Sequence, residues 1–351
     1  MLHATLLRGV PRRLRPGPVR ERRNQVVFDH LRLWLVAALV LCPAGSPDVT
    51  AASLVRRSEI VLKGYDLGGK LIPSWSGGAL VSAEAENTAQ PVLHVIDGNG
   101  LITSTVTLSV KGASLVTVDC FARGADGVIA VAGSAFSTDG RGAPYLAIFS
   151  QDGASLRVIR TLPHFPRRVA VASDGSIWTE GEEPAPHPVD GPQRGGTLRP
   201  DAGLIRRFDQ EGLETASFVP QSGISDPSHI VQASSNYLVA AGDSVVWYCP
   251  PEARYVEVSL GGRVLRDIRL DPPPGGEVTG FAITKAGDLF VSTVTHNPGR
   301  WEFQRLDRNR GTWEALGGGK GYAKLFGADG DLLVAHTSDK GWNVLEFFQP
   351  E

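Results

Sequence analysis

The stretch Arg168-Val169-Ala170-Val171-Ala172-Ser173-Asp174-Gly175-Ser176-Ile177-Trp178-Thr179-Glu180-Gly181 holds two alternating apolar runs hinged at Asp174-Gly175. Glycine accepts positive φ without a Cβ clash, and aspartate tolerates the left-handed region better than most residues. An Asp-Gly between period-2 runs therefore predicts a hairpin. The arrangement recurs at Gly77-Gly78, Asp126-Gly127, Ser235-Asn236, Ala286-Gly287 and Asp329-Gly330, each ahead of a run such as Val128-Ile129-Ala130-Val131. A single hairpin says little about a fold, but six of them along one chain predict a repeat protein.

A second series of turns alternates with the first: Asp66-Leu67-Gly68-Gly69, Asp97-Gly98-Asn99-Gly100, Gln151-Asp152-Gly153, Gln210-Glu211-Gly212, Leu260-Gly261-Gly262 and Asp307 to Gly311. Two turns per unit imply four short strands, and successive first-series turns lie 43 to 61 residues apart. Units of this size without helical segments are the signature of propeller blades. The predicted fold is all-β, a six-bladed β-propeller of four-stranded blades over residues 53–351. Its last unit (Tyr322 to Phe326, Asp331 to Ala335, Asn343 to Phe348) is one strand short, while Glu59-Ile60-Val61-Leu62-Lys63 is a strand without a first partner. The ring is expected to close when that N-terminal strand joins the last blade, which leaves no long exposed edge. The 61-residue step contains Gly181 to Ala202, with five prolines and no apolar period, and predicts a surface loop.

Residues 1–52 differ from the rest. Eight arginines and no lysine precede or flank Leu33-Trp34-Leu35-Val36-Ala37-Ala38-Leu39-Val40-Leu41-Cys42, followed by Pro43-Ala44-Gly45-Ser46-Pro47. A basic segment, a short apolar core expected as a leader helix, and a small-residue exit predict a secretory signal, with an uncleaved N-terminal anchor as the alternative. Cleavage is expected after Ala44, Ser46 or Ala51. The location expected is secreted or periplasmic, in the cell envelope, with membrane contact only through an uncleaved leader.

The whole chain has 35 basic and 37 acidic residues, and the first 52 carry eight of the former and three of the latter. The remainder, with 27 bases and 34 acids, has a formal charge of about −7, which argues against a nucleic-acid partner. Cys120 and Cys249 fall in strands of different repeats and are expected to be separate buried thiols.

Phe165-Pro166-Arg167-Arg168-Val169-Ala170-Val171-Ala172-Ser173-Asp174-Gly175-Ser176-Ile177-Trp178, followed by Leu204-Ile205-Arg206-Arg207-Phe208-Asp209-Gln210-Glu211-Gly212, resembles the NHL-repeat class of six-bladed propellers and their TolB-like relatives. Pro227-Ser228-His229-Ile230-Val231 repeats the opening of that pattern loosely. The resemblance spans most of residues 58–350 and implies a fold, shared by scaffolds, ligand-binding modules and a minority of enzymes, without implying an activity.

In such a ring, the loops before first strands and those joining second to third strands share one face. This topology gathers His164 and His229, ahead of first strands, with His187, His296 and His336, after second strands. Glu84, Glu180, Glu182 and Glu183 occupy corresponding connections. The candidates for a binding face are His164, Trp178, Glu180, His229, His296 and His336. Imidazole suits zinc and carboxylate suits calcium; the best-placed metal candidates are His164, His229 and His336, although no cofactor is expected. The gluconolactonase and regucalcin class is similar in architecture, and it would place a calcium-bound Glu, Asn and Asp set in the channel. Only Asp119 and Asn297 loosely match it. Gly317-Gly318-Gly319-Lys320-Gly321 lacks the Ser or Thr of a phosphate-binding loop and predicts a turn between blades. With no nucleophile elbow and no paired cysteines, the reading is a monomeric, non-catalytic scaffold for a protein, peptide or small ligand, with a metal-dependent lactonase-like hydrolase as the alternative.

Overall fold

Turn-forming pairs set between alternating apolar runs make this chain a succession of antiparallel meanders. The computed structural model describes residues 53–68, 73–83, 87–88, 90–186, 197–231, 236–296 and 299–351. The leader, Glu84, His187, Ser235 and Asn297 lie outside the described residues.

After β1 (Leu54–Val61) come β2 (Ser74–Ser76), β3 (Ala79–Ala83), β4 (Asn87–Thr88), β5 (Val92–Ile96) and β6 (Ile102–Thr107); the short β4 leaves this meander to pair with the next one. That next meander is β7 (Leu115–Arg123), β8 (Ile129–Phe136), β9 (Gly142–Phe149) and β10 (Ser155–Arg160). The following one is β11 (Phe165–Val171), β12 (Ile177–Glu182), β13 (Gly203–Phe208) and β14 (Glu214–Pro220). Then come β15 (Tyr237–Ala241), β16 (Ser244–Cys249), β17 (Arg254–Ser259) and β18 (Val264–Arg269). After them stand β19 (Glu277–Ile283), β20 (Leu289–His296), β21 (Gly299–Asp307) and β22 (Thr312–Lys320). The final meander is β23 (Ala323–Asp329), β24 (Leu332–Thr337) and β25 (Val344–Pro350).

β1 pairs antiparallel with β25 and supplies the missing fourth strand, with Leu54 opposite Pro350 and Val61 opposite Val344. The strand is longer than the one read from Glu59 to Lys63. Its end is fastened where Ser53 and Glu351 exchange both backbone hydrogen bonds, at 3.3 and 2.8 Å. Arg56 Nε also lies 2.7 Å from the buried carboxylate of Glu346.

First strands lie beside one another and fourth strands face outward. β12 and β16 are buried along their full length, whereas β18 is exposed along all of its length. The core accordingly sits between neighbouring meanders. Trp75 of the first meander meets Phe347 of the last edge-on at 5.4 Å, and within one meander Trp178 stacks on Phe218, also at 5.4 Å. Each such ring, taken from water, contributes about 2–3 kcal/mol.

Four of the first strands carry β-bulges: register shifts fall between Val118 and Cys120, Pro166 and Arg168, Val278 and Gly280, and Leu325 and Gly327. A bulge adds a residue to one strand and breaks the strict in-out alternation.

Several local expectations are corrected. Asn236 immediately precedes an innermost strand, β15; the hairpin of that meander is at Gly242 (φ +60°), between β15 and β16. The segment Pro227 to Val231 is a short helix, α1 (Ser228–Val231), where a strand was expected. The insertion from Gly181 to Ala202 does not begin or end at the surface. Gly181 and Glu182 continue β12, Pro184 bridges Leu198, and the Glu182 and Glu183 carboxylates are buried against Arg167, and against Arg199 and Arg206, respectively. Residues 187–196 of the insertion lie outside the described residues. Gly317 to Gly319 is not a turn but part of β22, paired with Trp301 to Phe303. Cys249 is buried, Cys120 half-buried, and both are free thiols. Burial pushes Cys249 up to about 12.

Candidate functional site

The first strands of all the meanders surround one cavity of ≈450 Å³, at the end where those strands begin. Its apolar wall includes Phe121, Tyr237, Val278, Phe281 and Phe326. Its charged groups come from the same strands: Asp119 on β7, Arg168 on β11, Glu277 on β19 and Lys324 on β23, with His296 at the end of β20. This end is the one where the loops before first strands and after second strands lie.

Arg168 is tied in place. Its Nε donates to the Asn236 carbonyl at 2.6 Å and its Nη1 to the Arg167 carbonyl at 2.8 Å. Behind it, Glu180 is fully buried on β12, where its Oε1 accepts from Asn236 Nδ2 at 3.0 Å while its Oε2 has no hydrogen-bond partner among the described residues. Loss of water lifts the Glu180 carboxyl to about 7; the Arg168 charge and the Asn236 amide oppose that rise. Asn236 Nδ2 also donates to the His229 carbonyl at 3.0 Å, so one amide joins the cavity wall to α1. Burial likewise raises Asp119, against the pull of Arg167 and Arg168. Burial lowers Lys324, and the like charge of Arg168 lowers it further. At the rim, Glu277 Oε2 lies 3.2 Å from His296 Nε2, and both side chains are mostly exposed.

Of the six residues singled out in the sequence, His296 lines the cavity and Glu180 lies directly behind its wall. The others lie elsewhere. His164 is buried with Nε2 2.9 Å from Thr179 Oγ1, and burial holds its pKa well below the ordinary imidazole value. Trp178 is in the core against Phe218, its Nε1 donating to Ser176 Oγ at 2.8 Å. His229 Nδ1 lies 2.7 Å from Glu252 Oε1. His336 is buried, with its Nδ1 3.2 Å from the Val344 carbonyl oxygen and its ring stacked at 4.5 Å on Trp342, whose other side is exposed. His164, His229 and His336 thus have separate partners, and among the described residues no three His, Cys, Asp or Glu side chains are grouped to hold a metal ion.

No protein-family model matches the sequence, and no curated protein matches it either. Solved structures do. A candidate exported protein of Bacteroides fragilis is 11% identical and aligns over 85% of this chain and 95% of its own, with a TM-score of 0.52. A Bacteroides thetaiotaomicron protein of unknown function is 11% identical over 86% of this chain and 76% of its own, with a TM-score of 0.47. The WD40 repeats of RRP9 are 11% identical over 85% and 100%, also at 0.47. The fold is propeller-like. At such identities the likeness concerns the fold alone, and the propeller's function has to be argued from its own cavity.

The groups that the sequence reading passed over are Arg168, Asn236, Glu277 and Lys324. A signal for two of them was present. Arg168 and Lys324 are charges set inside apolar first-strand runs, Val169-Ala170-Val171 and Leu325-Phe326, where a charge has no structural use unless that strand borders water or a ligand.

Proposed function

We propose that this chain is an exported, six-bladed β-propeller over residues 53–351 that binds a protein, peptide or small ligand at the loop-bearing end of its cavity, without catalysis. Six blades follow from counting four strands to a blade and letting β1 complete the last one. The observation that carries the binding role is the cavity, whose volume of ≈450 Å³ lies in the range of small-molecule sites and whose wall mixes aromatic rings with a few fixed charges. Such a site orients a ligand, whereas turnover would need a nucleophile, a base and an oxyanion donor in mutual reach.

The test is a thermal-shift panel of extended peptides and small organic ions on the full-length protein, repeated with Ser74→Trp, which places an indole in the cavity. Ligands whose shift disappears in the variant support the reading; shifts that survive it put the ligand elsewhere. Export is tested by N-terminal sequencing after expression in a secreting host, with the mature chain expected to begin after Ala44, Ser46 or Ala51 and an intact terminus in the membrane fraction meaning an anchor.

The buried Glu180 beside the Asn236 amide favours a second reading, a metal-dependent lactonase-like hydrolase. A metal there would need converging donors, but Glu180 Oε1 is taken by Asn236, and the nearby Asp119 is set against arginines. Stoichiometric calcium or zinc retained after dialysis, together with lactone hydrolysis lost in Glu180→Gln, would establish the second reading over the first.

A further inference from the structure

Lys324 is the one charged group lining the cavity for which the described residues offer neither an ion pair, nor a hydrogen bond, nor a nearby opposite charge. It stands on β23 between two buried residues, Ala323 and Leu325. The charge that acts on it most strongly is Arg168, of the same sign. The acids that share the cavity are engaged elsewhere. Glu277 sits with His296 at the exposed rim, Asp119 is set against Arg167 and Arg168, and Glu180 lies behind Asn236. Lys324 itself is half-buried, and an ammonium partly withdrawn from water with no counter-charge is stabilised when an anion arrives beside it.

The surroundings define what would arrive. One unmatched positive charge suits a monoanion better than a phosphate dianion. Phe121, Tyr237, Phe281 and Phe326 line the same cavity and offer apolar surface to the rest of the molecule. We propose that the cavity binds a small organic carboxylate with an aromatic or apolar body, its carboxylate paired with Lys324 and its body packed on the aromatic wall. The proposal rests on the binding role argued above and gives its ligand class.

The experiment is calorimetric titration of the full-length protein, at one ionic strength, with phenylacetate and 4-phenylbutyrate and with their neutral amides. The expected result is at least tenfold tighter binding of each carboxylate than of its amide. That preference should vanish in Lys324→Met and persist in Lys324→Arg. Circular dichroism checks that the variants fold. If amide and carboxylate bind equally well, or if Lys324→Met keeps the preference, the carboxylate assignment falls while the cavity remains a ligand site. If none of the four probes binds, the assignment and the small-ligand form of the binding role fall together.

Discussion

Glu180 has lost its water and gained a single amide donor, so it holds its proton more tightly than an exposed carboxyl does. Its folded pKa of about 7 lies above the ~4.3 of an unfolded chain. The folded protein therefore binds more protons between those values. The stabilisation from this group is complete below about pH 4, falls as pH rises, and is gone above about pH 7. At roughly 1.4 kcal/mol per pH unit, the full swing is about 4 kcal/mol. Glu180→Gln keeps the acceptor for Asn236 and cannot ionise. In urea unfolding, the variant is expected to gain about 2–3 kcal/mol on the wild type between pH 5 and pH 8; a constant difference would rule out a buried, titrating carboxyl. Little of this was legible beforehand. Strand alternation assigns residues to two faces, but the bulges at Asp119 and Arg167 shift the alternation within first strands. Which charge turns toward the cavity and which toward a neighbouring strand then depends on the register. Of the loop histidines, His164, His229 and His336 are occupied by packing and local hydrogen bonds, while His296 lines the cavity.

The turns were far easier to read than the glycines inside strands. Asp174 illustrates a readable turn: its Oδ1 accepts from the Ser176 amide at 2.9 Å, a local bond that needs no tertiary partner. Gly317 to Gly319 carry a different message. A Cβ at Gly318 would run into the Trp301 carbonyl oxygen, and one at Gly319 would meet the Trp301 indole nitrogen at 2.8 Å. Gly318 lets β22 approach the β21 backbone and Gly319 lets it lie against the Trp301 ring, reasons that appear only once β21 is alongside. Gly318→Ala is expected to cost about 1–3 kcal/mol through overpacking. Gly98→Ala, where a Cβ meets nothing within 4 Å, should change stability by less than ~0.5 kcal/mol. Chemical denaturation of both variants checks the contrast, and equal costs would show that the β21–β22 contact is looser than described. The misplaced turn at Ser235-Asn236 has a related cause: both residues favour turns by composition, yet Asn236 is held by Glu180 and His229 from other elements.

The pairing of β1 with β25 was the most legible feature of all, because it follows from counting strands: a final unit of three and an unpaired strand at the other end of the body. The pairing joins the beginning of the described chain to its end, and it neutralises the buried Glu346 through Arg56. Replacing residues 54–61 by a Gly-Ser segment would expose the edge of β25 and leave that carboxylate without its arginine. The expected result is a melting temperature lower by on the order of 10 °C and a tendency to associate through the freed edge. An unchanged melting curve would mean that the sheets hold together without this strand.

The mutual backbone bonds of Ser53 and Glu351 have a consequence for how the gene can be rearranged. Because the two ends of the body are already neighbours, a two- or three-residue link between them should be accommodated with little strain, and the chain can be reopened in the exposed β8–β9 turn at Gly140. Such a circular permutant is expected to reach the same far-ultraviolet spectrum as the parent. The same adjacency means that cargo joined directly ahead of Ser53 or behind Glu351 would leave the body at a single spot and keep its other surfaces clear.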